Sequence, residues 1–534
     1  MNGTHWADKI AEEIVANRRF AYAMKSPISF RENGTFSHAK NQRFLSISWK
    51  DKNVIATGIT PSGDIHIGNM REVLTGDMIY RALVDRGKDA ELVYIADTFD
   101  PLRRVYPFLP RSYEEHVGKP LSSVPDPYGC HENYAEHFLD PFLDSLEKLG
   151  ISAKVYRSNE LYEKGLYEDA IRVAIKNDKK IADILKEGSG RELKNNWSPY
   201  NPLCENCGRI NSSEVLGFDD DFKVRYRCKC GFEGESDIRK GEGKLGWRVD
   251  WPARWKILGV TVEPFGKDHA TVGGSYDTGK VISKEIYGYE PPYPVIYEWI
   301  SLKGRDMSSS KGVVMPIGEM LESVPPEVLR YLIARSRPKK HLNFDPGLPL
   351  LNLIGDLESI NGEDESGSRE LEFSLFREKR SNVPFRHMIN TIQIAKGDLK
   401  ELRTVLKRSG YDMGENEERW AGYARNWLER YAPESMKFEL KEEVPKNALS
   451  LEEREKMGLK ILGERLKDDL SGEDIHNMIY KVAEEAGLEI KRLFEAIYIS
   501  LLDKKSGPRI GLFIKSVGIG FVKKRFREVS RDEG

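Results

Sequence analysis

The stretch Thr60-Pro61-Ser62-Gly63-Asp64-Ile65-His66-Ile67-Gly68-Asn69 holds the groups that an anion-binding turn needs. Gly63 and Gly68 let the backbone bend and come close to a ligand. A helix that starts here aims unpaired N–H groups at the anion. His66 and Asn69 add side-chain donors for phosphate oxygens. The plain alternative is a surface loop with a chance histidine. A second stretch, Met307-Ser308-Ser309-Ser310-Lys311-Gly312, follows about 240 residues later. Three hydroxyls, a lysine and a glycine suit a loop that grips a triphosphate; the alternative is a serine-rich turn. Taken together the two stretches favour the site reading, because each follows a strand and each offers anion-binding groups.

Metal chemistry is written more locally. Four of the five cysteines fall between Cys204 and Cys230. The pairs Cys204-x-x-Cys207 and Cys228-x-Cys230 sit beside Gly208 and Gly231, so the chain can turn around an ion. Four thiolates at this spacing suit tetrahedral Zn²⁺ in a closed, structural site. The alternative is a set of unliganded buried thiols. Asp126, Cys130, His131 and His137 form a second complete four-donor set, with His137 on the helix expected to follow. Its alternative is a lone thiol beside two solvated histidines.

These residues need elements to position them. Val54-Ile55-Ala56 reads as a strand, and a helical pattern runs from about Ile67 to Asp85. Leu92 to Ala96 reads as a second strand ending at Asp97. Strand, helix, strand implies a parallel sheet with a right-handed crossover. Ligands on such sheets bind beyond the C-terminal strand ends, where residues 57–66 lie. Residues 5–19 carry helical spacing, and 21–52 lose all periodicity. Two helical stretches are expected at 131–149 and 160–187. Alternation resumes near 258, Val295 to Trp299 reads as a buried strand, and 355–370 has the composition of a linker. From 371 onward amphipathic helices dominate.

A chain of 534 residues predicts three to five folding units. With 39% hydrophobic and 31% charged residues it is not a disordered chain. The formal charge of −2 means that any nucleic-acid contact must come from local basic patches. Two patches stand out: Arg335, Arg337, Lys339, Lys340 and His341, and Lys515, Lys523, Lys524, Arg525 and Arg527. A solvated helix face is the alternative for each. The N-terminal residues lack an apolar leader core, and no run of about 18 apolar residues occurs. The expectation is a soluble, reducing, cytoplasmic protein with neither a membrane nor DNA as partner.

The first stretch resembles the HIGH signature of class I aminoacyl-tRNA synthetases, with Asn69 as its last letter. The second resembles the KMSKS signature. Gly58-Ile59-Thr60-Pro61-Ser62-Gly63, Trp247-Arg248-Val249-Asp250-Trp251-Pro252, Gly266-Lys267-Asp268-His269 and Gly274-Ser275-Tyr276-Asp277-Thr278-Gly279 are similar to class I lysyl-tRNA synthetases. So are His5-Trp6-Ala7-Asp8 and Ser506-Gly507-Pro508-Arg509. The likeness covers most of the chain except about 21–52. One departure is Asp306, where the family usually has lysine; Arg305 beside it could supply the charge.

The resemblance implies a lysine–tRNA ligase that forms lysyl-adenylate from ATP and lysine, with Mg²⁺ on the ATP. The lysyl group then passes to the terminal adenosine of tRNA(Lys). It implies an α/β fold: a Rossmann-type parallel-sheet catalytic domain with a zinc-containing insertion, then an all-α anticodon-binding domain. The expected layout is 1–52 (helix plus irregular insertion), 53–99 and 246–312 (the catalytic halves), 100–245 (the connective insertion), 313–354 (stem contact) and 371–534 (anticodon binding). His66, Asn69 and Lys311 are the implied catalytic residues. ATP would be held by Thr60, Ser62, Gly63, His66, Gly68, Asn69, Met307, Ser308, Ser309, Ser310 and Lys311. Residues matching the family's amino-acid pocket are Gly58, Thr60, Glu72, Trp247, Asp268, His269 and Tyr276. Glu72 is expected to meet the substrate ammonium, and Trp247 and Tyr276 to wall its stem unless they pack in the core. The family also carries a zinc ligand set at positions matching Asp126, Cys130, His131 and His137, which makes two zinc ions. The rival readings are a glutamyl-type synthetase, a non-catalytic zinc-containing tRNA-binding paralogue, and a nucleotidyltransferase.

Overall fold

The computed structural model describes residues 5–21, 52–190, 192–194, 196–219, 222–307, 315–360, 365–376 and 380–531. The irregular insertion expected at 21–52 lies almost wholly outside them. The chain divides into two compact units. One comprises Met1–Met320, Leu329–Phe344 and Gly362–Phe376; the other comprises Leu321–Val328, Asp345–Asn361 and Arg377–Gly534.

The first unit is built on five parallel strands: β1 (Asn53–Ile59), β2 (Ala90–Ala96), β3 (Lys154–Arg157), β4 (Val262–Gly266) and β5 (Tyr293–Tyr297). Their order across the sheet is β5-β4-β1-β2-β3. β1 pairs with β2 from Asn53 opposite Ala90 to Ile59 opposite Ala96, and with β4 at Ile55 opposite Val262. The order reverses between β1 and β4, and a doubly wound sheet opens its ligand crevice at that point. The loop leaving β1 is the His66 loop.

Both faces of β1 are covered, which is why its sequence is a nearly unbroken apolar run. α1 (Trp6–Ala21) lies upstream of β1 in the chain. α2 (Ile67–Asp85) follows β1 and spans the residues expected from periodicity. Strand side chains alternate between faces. Ile55 and Thr57 turn toward Gly76 of α2. Val54 and Ala56 turn to the other face, where Trp251, Trp255, Phe265 and Tyr276 make a core cluster. The two tryptophans belong to a helix at Trp247–Leu258 and the tyrosine to one at Ser275–Glu285.

The stretch 100–245 contributes more than an insertion. β3 lies inside it and pairs with β2 from Val93 opposite Lys154 to Ala96 opposite Arg157. The helix expected at 131–149 is α3 (Tyr134–Lys148). The stretch at 160–187 is broken into Ser158–Glu163, Glu168–Lys176 and Asp178–Ser189. The left-handed Gly165 marks the first break. The cysteine cluster sits on a three-stranded antiparallel ribbon of Ser213–Phe218, Lys223–Cys228 and Glu233–Asp237. Helices at Leu348–Glu358 and Glu365–Ser374 reach into the segment 355–370, whose composition suggested a linker.

Among its described residues the second unit is helical. Trp420 and Trp427 of the helix Glu415–Arg430 are fully buried in it. Part of the C-terminal basic patch is consumed by this packing. Buried Arg525 donates to the carbonyls of Ser500, Lys441 and Glu442 at 2.7–2.8 Å. Lys515 and Lys523 donate to the carbonyls of Leu470 and Leu466. These three therefore stitch helices together, whereas Arg335, Arg337, Lys339, Lys340 and His341 are exposed.

Candidate active site and metal centres

His66 caps α2. Its Nδ1 accepts the backbone N–H of Gly68 at 3.1 Å, and its own N–H donates to Asn69 Oδ1 at 3.3 Å. Because Nδ1 accepts, the proton of the neutral ring must sit on Nε2. Burial lowers the imidazole to about 4, so at neutral pH it is an uncharged donor. Asn69 closes the cap with its oxygen rather than facing outward through it. Gly68 is required sterically: a Cβ there would lie 2.8 Å from His66 Cε1.

The rest of the turn is pinned from several sides. The Thr60 hydroxyl donates to Asp100 at 3.0 Å, and the Ser62 carbonyl accepts the Tyr134 hydroxyl at 2.8 Å. Gly63 is buried. Asp100 also takes the ammonium of Lys244 at 2.6 Å. Burial works against the Asp100 charge, but Lys244 and Thr60 hold its carboxyl below the usual range. Around this pair lies a buried network. Arg254 binds Asp97 and Asp250, Lys244 approaches Asp250 at 3.4 Å, and the hydroxyls of Tyr162 and Tyr167 donate to Asp250.

Ser308, Ser309, Ser310 and Lys311 lie outside the described residues, but the flanks of their loop do not. Pro316 bridges to His66, and the N–H of Ile317 donates to the carbonyl of Ile65 at 2.9 Å. On the other flank, Met307 Cε lies 3.5 Å from where a Cβ of residue 68 would stand. The two signature stretches, far apart in sequence, thus meet at the start of α2.

Glu72 lies one turn further along α2. Its Oε1 accepts the N–H of Gly58 at 2.8 Å and its Oε2 the hydroxyl of Tyr297 at 2.7 Å. Burial pushes this carboxyl up to about 7 despite both bonds, and the charges of Asp268 and Asp97 add to the rise. Glu263 of β4 is a further buried acid. Trp251 donates to it at 2.8 Å, and Trp255 donates to its other oxygen. Burial raises it to about 8, with the charge of Glu72 adding to the effect and the indole donors offsetting part. Arg254 neutralises Asp97 and part of the Glu263 charge, but Glu72 and Asp268 leave this ground acidic, which favours a positively charged ligand.

Trp247 is 37% exposed and stacks on Trp251, with ring centroids 5.2 Å apart. His269 stands 6.2 Å from Trp247, and its Nδ1 lies 3.0 Å from the Ser275 hydroxyl. Burial lowers its basicity, with Asp268 opposing. Asp268 is exposed beside it. Tyr276 is different: its ring packs on Phe265 and Trp255, and its hydroxyl donates to the Pro292 carbonyl at 2.7 Å. It is a core residue here. Asp100, Lys244, Glu263 and Tyr297 escaped the sequence reading because no local motif marks them. They converge only through the sheet order.

Both expected metal clusters assemble. The ligand atoms of Cys204, Cys207, Cys228 and Cys230 lie within 4.8 Å of one another, as do those of Asp126, Cys130, His131 and His137. Cys204 to Cys230 and Cys207 to Cys228 are each 3.7 Å between sulfurs. A tetrahedron with Zn–S of about 2.3 Å has edges of about 3.8 Å. The four thiols therefore fit a tetrahedral ion and are too far apart for disulfides. In the second cluster Cys130 Sγ lies 3.1 Å from His131 Nδ1 and 3.3 Å from His137 Nδ1. Asp126 Oδ1 lies 3.1 Å from His137 Nδ1. Asp126 also accepts the N–H groups of Tyr128, Cys130 and His131, which hold its carboxyl well below the usual range despite its desolvation. No helix among the described residues is long and apolar enough to cross a membrane.

A sequence profile described as tRNA synthetases class I (K) matches residues 35–374. A lysine–tRNA ligase of Archaeoglobus fulgidus is 52% identical over 479 residues, covering 89% of this chain and 96% of the relative. Lysine–tRNA ligase 1 of Methanosarcina acetivorans is 47% identical over 98% of both chains. A third relative, a lysine–tRNA ligase of Thermoplasma acidophilum, is 42% identical over 91% of this chain and the whole of its own. With its signature stretches joined at the switch point of a doubly wound sheet, the chain belongs to the class I lysyl-tRNA synthetases.

Proposed function

We propose that this protein activates lysine with ATP and transfers the lysyl group to the 3′-terminal adenosine of tRNA(Lys), releasing AMP and pyrophosphate. The observation that carries the specificity is the acidic ground around Glu72. A lysine ammonium there supplies the charge that the partly buried carboxylate lacks. A glutamate side chain would add another negative charge, so the same ground disfavours a glutamyl-type enzyme.

Attack of the lysine carboxylate on the α-phosphate builds negative charge on the phosphoryl oxygens. The catalyst must position the reactants and stabilise that charge. His66 is suited to this as a neutral Nε2–H donor held in one tautomer by Gly68. The N-terminus of α2 adds the positive end of its dipole, while the Gly68 N–H is spent on the His66 cap. Thr60 and Ser62 serve mainly by shaping the turn, and Asn69 by locking the cap. Lys311 and the serines before it are assigned to the pyrophosphate end by resemblance. Mg²⁺ accompanies the ATP and neutralises phosphate charge. Trp247 walls the aliphatic stem, while Asp268 and His269 are placed to take the α-amino group or the ribose. The two four-donor clusters hold zinc in structural sites. The exposed cluster from Arg335 to His341 serves the acceptor stem, and the helical C-terminal region serves the anticodon.

Charging of total tRNA with labelled lysine or glutamate by the purified protein tests the reading. Lysine alone should be incorporated, in an ATP-dependent manner. Incorporation of glutamate, or of neither, would overturn it.

A further inference from the structure

Arg71 follows Asn69 by two positions on α2 and directly precedes Glu72. At about 3.6 residues per turn it leaves the helix roughly 100° away from that acid and reaches a different part of the fold. Its side chain is 1% exposed. The guanidinium donates to three main-chain carbonyls: Trp299 at 3.1 Å, Pro338 at 2.9 Å and Lys340 at 2.8 Å. Burial pulls the group down to about 10, with Tyr297 and Glu298 opposing, so it stays charged at neutral pH. Burying a cation this deeply costs folding free energy that an apolar side chain of similar volume would not. What the guanidinium supplies instead is direction, because its planar fork holds several acceptors at once.

Those carbonyls root a small sheet. Trp299 leads into the strand Ile300–Leu302, which pairs with Leu342–Phe344 just beyond Lys340. The Trp299 carbonyl also accepts the N–H of Leu342, and the Pro338 carbonyl that of Glu298, so Arg71 shares acceptors with the backbone. Ile300–Leu302 then turns back through Lys303 and Gly304 into Arg305–Asp306. Asp306 stands opposite Ser301, so Met307 emerges beside the root that Arg71 holds. From there Met307 reaches the start of α2, next to Gly68. We propose that Arg71 is a positioning residue for lysine activation: by holding the root of this hairpin against α2, it sets where the second signature stretch stands relative to the His66 turn. This rests on the function proposed above. The second stretch is assigned there to the pyrophosphate end. Its position therefore matters while ATP is cleaved and no longer matters when the lysyl group is transferred.

The test separates the two half-reactions in the full chain, comparing the parent, R71M and R71K at saturating lysine-accepting tRNA. Lysine-dependent exchange of pyrophosphate into ATP reads activation. Transfer of the lysyl group from supplied lysyl-adenylate reads the second step. R71M keeps the volume and removes the donors. Its exchange should lose about tenfold or more in kcat/KM for ATP, since a displacement of about 1 Å caused far from the chemistry can cost on the order of 100-fold. Its KM for lysine should stay within about twofold, and its transfer rate should match the parent's. R71K, with the charge but no fork, should show the same split at a smaller loss, and it decides the question alone should R71M not fold. Exchange by R71M at the parent's rate would overturn the proposal. So would an equal loss in both half-reactions, the mark of a merely structural residue. A parent that forms no lysyl-adenylate refutes the proposed function and the role of Arg71 with it. A parent that does so, beside variants without the split, refutes the role of Arg71 alone.

Discussion

Glu72 and His66 show how single side chains are tuned by their neighbours. With its carboxyl near 7, Glu72 is increasingly protonated as the pH falls below neutrality and then attracts an ammonium weakly. The KM for lysine should therefore fall as pH rises through about 7. E72Q should raise KM by at least tenfold and flatten that profile, as steady-state charging from pH 6 to 8.5 would show. A Glu72 without contact to substrate would leave KM unmoved. Gly68 gives a sharper separation of stability from activity. Ala suits a helix better than Gly by up to about 1 kcal/mol, which offsets part of the ~0.5–2 kcal/mol lost with the displaced His66 cap, so G68A should lower the melting temperature only slightly. Its methyl would displace the His66 ring, and kcat should drop about tenfold or more; calorimetry and charging rates together check this. At this scale contiguous motifs were legible in the sequence. His66, Gly68 and the cysteines announce themselves by spacing. Lys244 does not, because its partner Asp100 is 144 positions away and only the fold joins them. Tyr276 shows the converse: a residue inside a matching motif has its ring in the core and its hydroxyl bonded to a carbonyl.

At the scale of elements, the metal clusters act as fasteners for the site. α3 begins beside the Asp126 cluster, and its Tyr134 holds the Ser62 carbonyl. We expect two zinc equivalents per chain from elemental analysis. C207S and H137A should each lose one, and H137A should also lower kcat by weakening the hold on Ser62. Two equivalents retained by H137A would remove that cluster from the metal sites. The periodicity of α2 was legible over its length, since its cap and apolar face agree. β3 was not: Lys154 to Arg157 is a four-residue edge strand with a charge at each end, and nothing local distinguishes it from a loop. The C-terminal cations misled for a related reason, because a charged residue in sequence does not reveal whether carbonyls surround it. Arg525 is 1% exposed.

The whole molecule carries the cost of holding acids in a low-dielectric site. Glu72 and Glu263 both have carboxyls raised in the folded state, to about 7 and about 8. A raised carboxyl contributes stability that is fully present below its unfolded value of about 4.3 and is lost as pH climbs through the folded one. Taken alone, the pair should make the melting temperature fall by several degrees between pH 5 and 8.5. Saturating lysine should restore part of that loss at the alkaline end, and E263Q should shrink the slope. Scanning calorimetry across pH decides this; a lysine effect equal at all pH values would contradict it. The division into a sheet-bearing unit and a helical one was legible from the change of periodicity. The return of 362–376 to the first unit was not, since only tertiary contacts assign it.

The strand order also shapes how this chain leaves the ribosome. β1 is central, yet its neighbour β4 starts roughly 200 residues after β1 ends. At about 5–20 residues per second, one rim of β1 waits roughly 10–40 seconds with its amide and carbonyl groups unmet. A bare strand rim recruits other chains. Synthesis stopped just after Leu258 should accordingly yield an aggregating product, while a stop that includes β4 and β5 should lessen it. The long connective stretch is thus also a delay, during which the half-built sheet must be shielded.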